Sequence, residues 1–246
     1  MKLMITGASG FIGQHLSNAM ERKNNQIINI SKSSGLDLAK NSLLELDNVD
    51  KVIHLASRTF IPDSFDNPET IYRDNYLSML NVLEYCRTKS IKQLIFLSTY
   101  VYGQPEYLPI DEKHPTNIKN PYGRSKLDCE RLCQTYAEDY DLSIITLRAF
   151  NIFGTKQNHK FLFPTIIKQL LDADTQQIIL ENLEPKRDYL YIKDLINILN
   201  YFIGSNVNNG HSIFNIGYGK SHSVSDVVNN IMNIFGIKKD IYENKS

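Results

Sequence analysis

Short apolar runs recur along the chain at LMIT (3–6), QIINI (26–30), KVIHLA (51–56), QLIFLS (93–98) and SIITLR (143–148), each separated from the next by a more polar stretch. Runs of this length bounded by polar turns predict buried strands, and apolar residues three and four apart predict amphipathic helices. Helical spacing places helices over 13–23, 69–88, 122–140, 163–171, 192–202 and 224–235. Strands alternating with helices imply parallel pairing through crossover helices, so the expected fold is α/β with a doubly wound parallel sheet. After residue 150 the alternation gives way to a helix, a short IIL strand and a polar turn. The expected division is a main domain over 1–150 and a smaller lobe over 151–246, intertwined with the first. Between two of the helices, QPEYLPIDEKHPTNIKNP (104–121) carries four of the eight prolines and no period, which predicts a surface loop of the kind that shapes sites.

Three glycines, Gly7, Gly10 and Gly13, follow the first strand directly and open the first helix. At such a turn the first permits a sharp bend, the second lets backbone approach a ligand, and the third lets helix lie close on sheet. The helix N-terminus then offers unpaired N–H groups and a partial positive charge to a phosphate. An ordinary glycine-rich turn is the plain alternative. Position after an N-terminal strand favours a dinucleotide pyrophosphate seat, and the three-residue spacing points to the short-chain dehydrogenase/reductase style of loop.

Composition narrows the partners. Lys plus Arg and Asp plus Glu each total 27, so no broad field favours nucleic acid or an anionic membrane. Cys86, Cys129 and Cys133 cannot all pair, and the last two share a helix, which suits a reducing compartment. The first strand begins at the second residue, no apolar run reaches membrane-spanning length, and the expectation is a soluble cytoplasmic protein. The six histidines show no paired ligand spacing, so no metal site is expected.

Tyr-x-x-x-Lys occurs three times, at Tyr85/Lys89, Tyr122/Lys126 and Tyr189/Lys193. Only the middle pair opens a helix after Asn120–Pro121 and follows the strand that ends in Ser98 and Thr99, which brings it to the carboxyl ends of the strands where parallel sheets bind ligands. A phenol is a poor base at neutral pH, but a lysine ammonium and an oxidised nicotinamide nearby favour its phenolate. Tyr122 is the expected proton carrier, with Lys126 supporting it and Ser98 holding the reacting oxygen. A surface pair and a strand terminus are the alternative reading of these three.

With these motifs in hand, the chain resembles an extended short-chain dehydrogenase/reductase of the nucleotide-sugar epimerase and dehydratase family, nearly end to end. TGASGFIG (6–13) is similar to its nucleotide loop, which adds Phe11 and Ile12 to the cofactor contacts. VIHLAS (52–57) resembles its nicotinamide-side strand, with Leu55, Ala56 and Ser57 beside the cofactor; LSTYVYG (97–103) and NPYGRSK (120–126) resemble its active-site segments. The resemblance implies that Asn75 supports the site, that Asp37 and Leu38 meet the adenine, and that Phe150 and Asn151 of LRAFNIFG face the nicotinamide and the substrate diphosphate. Arg187 of KRDYLYIKDL matches an arginine that binds the sugar nucleotide's phosphate, with a structural salt bridge as its alternative. A Rossmann-type domain, a nucleotide-diphosphate sugar as substrate and a homodimer through the helices at 69–88 and 122–140 are implied by the same resemblance.

Departures from the family pattern narrow the activity. Its 4,6-dehydratases carry an acidic pair, or at least a glutamate, after the catalytic serine or threonine, where this chain has Thr99 and Tyr100 facing the substrate. Dehydration therefore gives way to hydride transfer at sugar C4, by a 4-keto-6-deoxy-sugar reductase or a 4-epimerase. The dehydratase and a non-catalytic NAD(P)-binding regulator are the alternatives. Where NAD-dependent relatives end the second strand with aspartate, Ser31, Lys32 and Ser33 stand here, a set that accommodates a 2′-phosphate and points to NADP ahead of NAD. Glu181 and Leu183 replace glycines common before the phosphate arginine. Relatives continue past YENKS with another phosphate-binding arginine and a final helix, so the C-terminal lobe is expected to be truncated.

Overall fold

The computed structural model describes residues 1–206 and 210–244. The chain begins β1 (Lys2–Thr6), α1 (Phe11–Glu21), β2 (Gln26–Ile30), a single 3₁₀ turn at Lys32–Ser34, β3 (Lys51–His54), α2 (Ile61–Asp66), α3 (Pro68–Thr88), β4 (Gln93–Thr99), α4 (Pro121–Tyr140) and β5 (Ser143–Ala149). It continues β6 (Asn151–Phe153), α5 (Leu162–Leu171), β7 (Gln177–Leu180), β8 (Lys186–Tyr191), α6 (Ile192–Gly204), β9 (Gly210–Ile216), β10 (Ser221–Ser223), α7 (Val224–Phe235) and β11 (Asp240–Glu243). Two compact units result, one of Met1–Ala149 with Asp194–Ile216, the other of Phe150–Lys193 with the chain from Gly217 onward.

The first unit holds a six-stranded sheet in the order β2-β1-β3-β4-β5-β9, every neighbouring pair parallel. Strands covered on both faces need apolar residues at nearly every position, as the uninterrupted burial along β3 and β5 records. On one face the sheet packs Met4, Val52, Leu94, Phe96 and Ile144 against Met79, Val82, Leu83, Cys129 and Cys133 of α3 and α4. The three cysteines are buried and unpaired. Asn120 caps α4 by accepting from the Gly123 N–H at 2.7 Å, and Pro121 fills the first helical turn, where its missing N–H costs nothing. The proline-rich stretch before it is irregular, as its composition predicts.

The second unit builds a three-stranded sheet, β10-β8-β6, and a parallel pair, β11-β7. Ile166 and Leu170 of α5, Ile178 and Leu180 of β7, and Val224, Val228 and Ile231 of α7 form its core. Three differences from the sequence expectation stand out. KRDYLY, read as part of a polar turn, is β8. The segment Asp194–Ile216 groups with the first unit instead of the lobe expected over 151–246, because β9 pairs along the whole length of β5. The third strand ends at His54, not Ala56: the Leu55 N–H is shared between the carbonyl and hydroxyl of Thr6, and the Ala56 N–H turns to the hydroxyl.

Candidate active site

The sheet order decides where chemistry can collect. β2 and β3 flank β1 on its two sides, so the chain segments leaving all three converge beside the glycine loop. At two of its glycines the loop has no room for a side chain. Gly7 takes φ 71°, and a Cβ there would lie 2.7 Å from the Ala56 nitrogen, while a Cβ on Gly13 would lie 2.2 Å from the Gly7 oxygen. Gly10 is the N-cap of α1 and supplies no side-chain partner to the first helical N–H groups, and that first turn carries no acid. A backbone cradle closed to Cβ atoms, backed by an uncapped helix N-terminus, fits a dinucleotide pyrophosphate. Phe11 and Ile12 lie in the first turn of α1.

Thr6 pins the exit of β3. Its Oγ1 accepts from the Leu55 and Ala56 N–H groups, both at 3.2 Å, and meets His54 Nδ1 at 2.8 Å. Burial and the nearby Lys126 charge push His54 down to about 3, so its ring is neutral. Asn75 secures the next residues. Its Oδ1 accepts from Ser57 Oγ at 3.1 Å and from the Arg58 N–H at 2.9 Å, and its Nδ2 donates to Ser125 Oγ at 2.9 Å. Ser125 Oγ in turn donates to the Tyr122 carbonyl, so Asn75 braces the first turn of α4.

On α4, Tyr122 and Lys126 stand one turn apart. Burial raises the Tyr122 phenol to about 12, and a hydrogen bond from the Thr99 hydroxyl works against that rise. Lys126 is buried and pulled down to about 8 by loss of hydration, and its ammonium lies 4.2 Å from the centroid of the Phe96 ring. Ser98 is the hydroxyl expected to hold the reacting oxygen, and the structure turns it elsewhere. Successive residues of a strand point to opposite faces. Ser98 Oγ is turned to a buried ion pair and donates to Glu130 Oε1 at 2.5 Å, while the adjacent Thr99 hydroxyl acts to lower the Tyr122 phenol.

That ion pair joins four elements of the first unit. Arg148 of β5 donates to Glu130 of α4 at 2.7 and 3.0 Å, and its Nη1 reaches the Tyr102 hydroxyl at 2.9 Å. Tyr102 donates to Asn215 of β9 at 2.5 Å, and the Asn215 N–H donates to Glu112 of the proline-rich loop at 2.7 Å. Tyr100 is held locally, its hydroxyl donating to the Gly103 carbonyl. Neither Glu130 nor Arg148 is marked by a motif, and Thr99 is expected only to face the substrate. Glu130 lies one turn beyond Lys126 on the same face of α4, and a carboxylate on a buried helical face needs donors, which is the signal that finds it.

At the other flank of the glycine loop, Ser31 and Ser34 form a reciprocal cap, Ser34 N–H to Ser31 Oγ at 3.2 Å and Ser31 N–H to Ser34 Oγ at 3.1 Å. Lys32 Nζ lies 3.1 Å from Asp37 Oδ2 and 3.4 Å from Asp74 Oδ2. Leu38 is buried, its carbonyl accepting from Asn81. In the second unit, Asn151 and Arg187 are both exposed on the adjacent strands β6 and β8. Asn151 Nδ2 donates to the Asp188 carbonyl at 3.2 Å and Arg187 Nη1 to the Lys186 carbonyl at 2.8 Å. Asp188 accepts from the Tyr218 and Gly219 N–H groups and so fixes the turn after β9, which begins at Gly217 near Phe150.

A parallel sheet, a glycine cradle at its first crossover and a tyrosine-lysine pair after the fourth strand define a dinucleotide-dependent enzyme of the extended short-chain dehydrogenase/reductase type. Residues 3–217 match the NAD dependent epimerase/dehydratase family, and the chain belongs to it. It is 30% identical over 266 residues to a putative UDP-glucose 4-epimerase of Methanocaldococcus jannaschii, a match spanning 98% of this chain and 85% of that protein. Among solved structures, the UDP-glucuronic acid 4-epimerase from Bacillus cereus, in complex with UDP-glucuronic acid and NAD, superposes with a TM-score of 0.90 at 25% identity, over 100% of this chain and 87% of that one. RMD from Pseudomonas aeruginosa, complexed with NADPH, gives a TM-score of 0.87 at 25% identity, over 99% of this chain and 87% of that one.

Proposed function

We propose that this enzyme performs hydride transfer at C4 of a nucleotide-diphosphate sugar, as a 4-keto-6-deoxy-sugar reductase or a 4-epimerase, with NADP preferred over NAD. The observation that carries the proposal is that Tyr122 and the buried Lys126 stand one turn apart on α4, with the Thr99 hydroxyl acting to lower the phenol. When bound, the nicotinamide supplies the hydride exchange. Tyr122 moves the proton at O4, giving it to the carbonyl oxygen in reduction and taking it from the hydroxyl in oxidation. A phenol held near 12 needs help to ionise, and the Lys126 ammonium provides it. We assign the oxygen-holding role to Thr99 ahead of Ser98, whose hydroxyl is committed to Glu130. Asn151 and Arg187 are assigned to the substrate diphosphate, Tyr100 to the sugar and Phe150 to the nicotinamide.

With Thr99 as the reacting hydroxyl, the two residues that follow are Tyr100 and Val101, and neither supplies an acid to expel a C6 hydroxyl. The argument against dehydration therefore survives the shift of one residue. Support for NADP is the Ser31-Lys32-Ser33 turn at the end of β2, where a carboxylate would repel a 2′-phosphate. Pairing of two copies through α3 and α4 is the proposed assembly, and light scattering of the purified chain tests it.

The deciding experiment is product analysis on a panel of UDP, dTDP, GDP and CDP sugars, with each 4-keto sugar tested alongside NADPH. Reduced or C4-inverted sugars are the expected products. A 4-keto-6-deoxy product from a nucleotide hexose would establish the dehydratase instead. Tyr122→Phe is expected to abolish turnover while leaving cofactor binding within a few-fold, and unchanged turnover in that variant would remove Tyr122 from the chemistry; cofactor binding with no turnover of any sugar by the wild type would point to a binding protein.

A further inference from the structure

Four residues beyond the end of β3, Arg58 occupies a position that no cofactor motif covers. Asn75 Oδ1 holds its backbone N–H at 2.9 Å, and its guanidinium is braced from one side, Nε donating to Asp74 Oδ2 at 2.7 Å. The two terminal Nη groups make no hydrogen bond or ion pair among the described residues. The fork thus points away from its brace, with about half of the side chain exposed.

Lys32 reaches the same carboxylate oxygen. Its Nζ lies 3.4 Å from Asp74 Oδ2, so an ammonium from the chain leaving β2 and a guanidinium from the chain leaving β3 sit side by side on one atom. Asp74 itself is nearly buried and is further fixed by Arg73, which it shares with Glu69. Asp37 takes a second contact from Lys32. The two carboxylates allow two cations to approach without repelling, and they leave donors over. Of the five N–H bonds of Arg58 one is committed, and of the three on Lys32 two are. Ser31 and Ser33 place their hydroxyls, 2.9 Å apart, on the turn that carries Lys32.

We propose that Arg58 is a specificity-determining residue for the cofactor: with Lys32 it binds the 2′-phosphate of NADP, and Asp74 sets the spacing of the two cations. This rests on the NADP reading given above and adds a second, forked cation to it. A phosphomonoester dianion presents three oxygens, enough to span a bidentate guanidinium and an ammonium. No existing contact of Lys32 or Arg58 has to break to admit it. The pyrophosphate, common to NAD and NADP, is the other anion within the cofactor, and the test separates the two.

Purified full-length protein is titrated with NADPH and NADH by nucleotide fluorescence, and with adenosine 2′,5′-bisphosphate and AMP by calorimetry. Arg58→Gln is expected to weaken NADPH and the bisphosphate about tenfold or more while NADH and AMP stay within twofold. Arg58→Lys, which keeps the charge and loses the fork, should fall between. Retained NADH binding in each variant reports that the fold is intact. Equal loss with both dinucleotides would move Arg58 to the pyrophosphate and overturn the proposal. Unchanged NADPH affinity in Arg58→Gln, with Lys32→Ala still weakened, would remove Arg58 and leave the NADP reading standing. Wild-type protein that binds NADH more tightly than NADPH, and the bisphosphate no better than AMP, would defeat both.

Discussion

The Lys126 ammonium sits over the Phe96 ring, 4.2 Å from its centroid, and the same ring stacks with the neutral imidazole of His54 at 5.7 Å between centroids. A desolvated cation over an aromatic face gains on the order of 1–2 kcal/mol, comparable with one pH unit of its titration. Lys126 is pulled down to about 8 despite that help, because burial dominates. Phe96→Leu removes the attraction and should lower the lysine further. If the charged lysine is what makes Tyr122 ionisable, the rate falls as pH rises through about 8 in the wild type and at a lower pH in Phe96→Leu, while Phe96→Tyr behaves as wild type. Titration of the lysine side-chain nitrogen by NMR gives the same shift without substrate, and an unmoved midpoint would refute the role of the ring.

The same group links stability to pH. Its folded value, about 8, is below the ordinary 10.5, so the unfolded chain takes up the proton first as pH falls. Stability is therefore greatest above 10.5 and is lost as pH drops toward about 8, below which the loss is constant. Lys126→Met should raise the melting temperature at neutral pH, with the gain shrinking as pH approaches 10.5. Thermal unfolding at several pH values measures it, and a pH-independent difference would contradict the linkage.

Thr99 and Ser98 are adjacent hydroxyls with opposite duties. Thr99→Val removes the hydroxyl that acts to lower the Tyr122 phenol and should cut kcat by roughly 10²-fold or more, in keeping with general acid-base contributions, while Thr99→Ser keeps most of it. Ser98→Ala leaves Glu130 with one donor fewer and should cost roughly 1–2 kcal/mol of stability at little cost in kcat. Steady-state kinetics and urea unfolding of the three variants decide the matter. A larger kcat loss in Ser98→Ala than in Thr99→Val would restore Ser98 to the chemistry.

Much of this architecture is legible in the sequence because both-face burial leaves a plain mark. VIHLA, QLIFLS and SIITLR are apolar almost throughout, and only strands inside a covered parallel sheet read that way. β9 escaped notice because His211, Phe214 and Asn215 are partly exposed on an edge strand, so its run looks mixed. The glycine loop is legible because at Gly7 and Gly13 the backbone leaves no space for a Cβ. Which of two neighbouring hydroxyls faces Tyr122 is not, since it depends on the phase of β4 relative to α4, and nothing local to Ser98 or Thr99 records that phase. The Lys32–Asp74–Arg58 contact is equally invisible in one dimension, for its members come from three separate segments that meet only when β2, β1 and β3 lie side by side.

Glu130 and Arg148 form an ion pair whose side chains are 3% and 6% exposed, which makes its removal from one side different from its removal from both. Burial alone would lower Arg148, yet the Glu130 carboxylate and the Tyr102 hydroxyl hold it above its usual value. Glu130→Gln strands a buried guanidinium beside Tyr102 and should cost roughly 3–5 kcal/mol, as should Arg148→Met, which strands the carboxylate. The double replacement Glu130→Gln/Arg148→Met leaves no uncompensated charge, so its cost should fall well below the sum of the two. Because Glu130 also ties α4 to β4 through Ser98, the single variants should loosen the contact between Thr99 and Tyr122 and reduce kcat even where they remain folded. Urea unfolding of the full double-mutant cycle measures the coupling. Additive losses would mean that the pair contributes nothing as a pair, and that α4 is registered on the sheet by its apolar face alone.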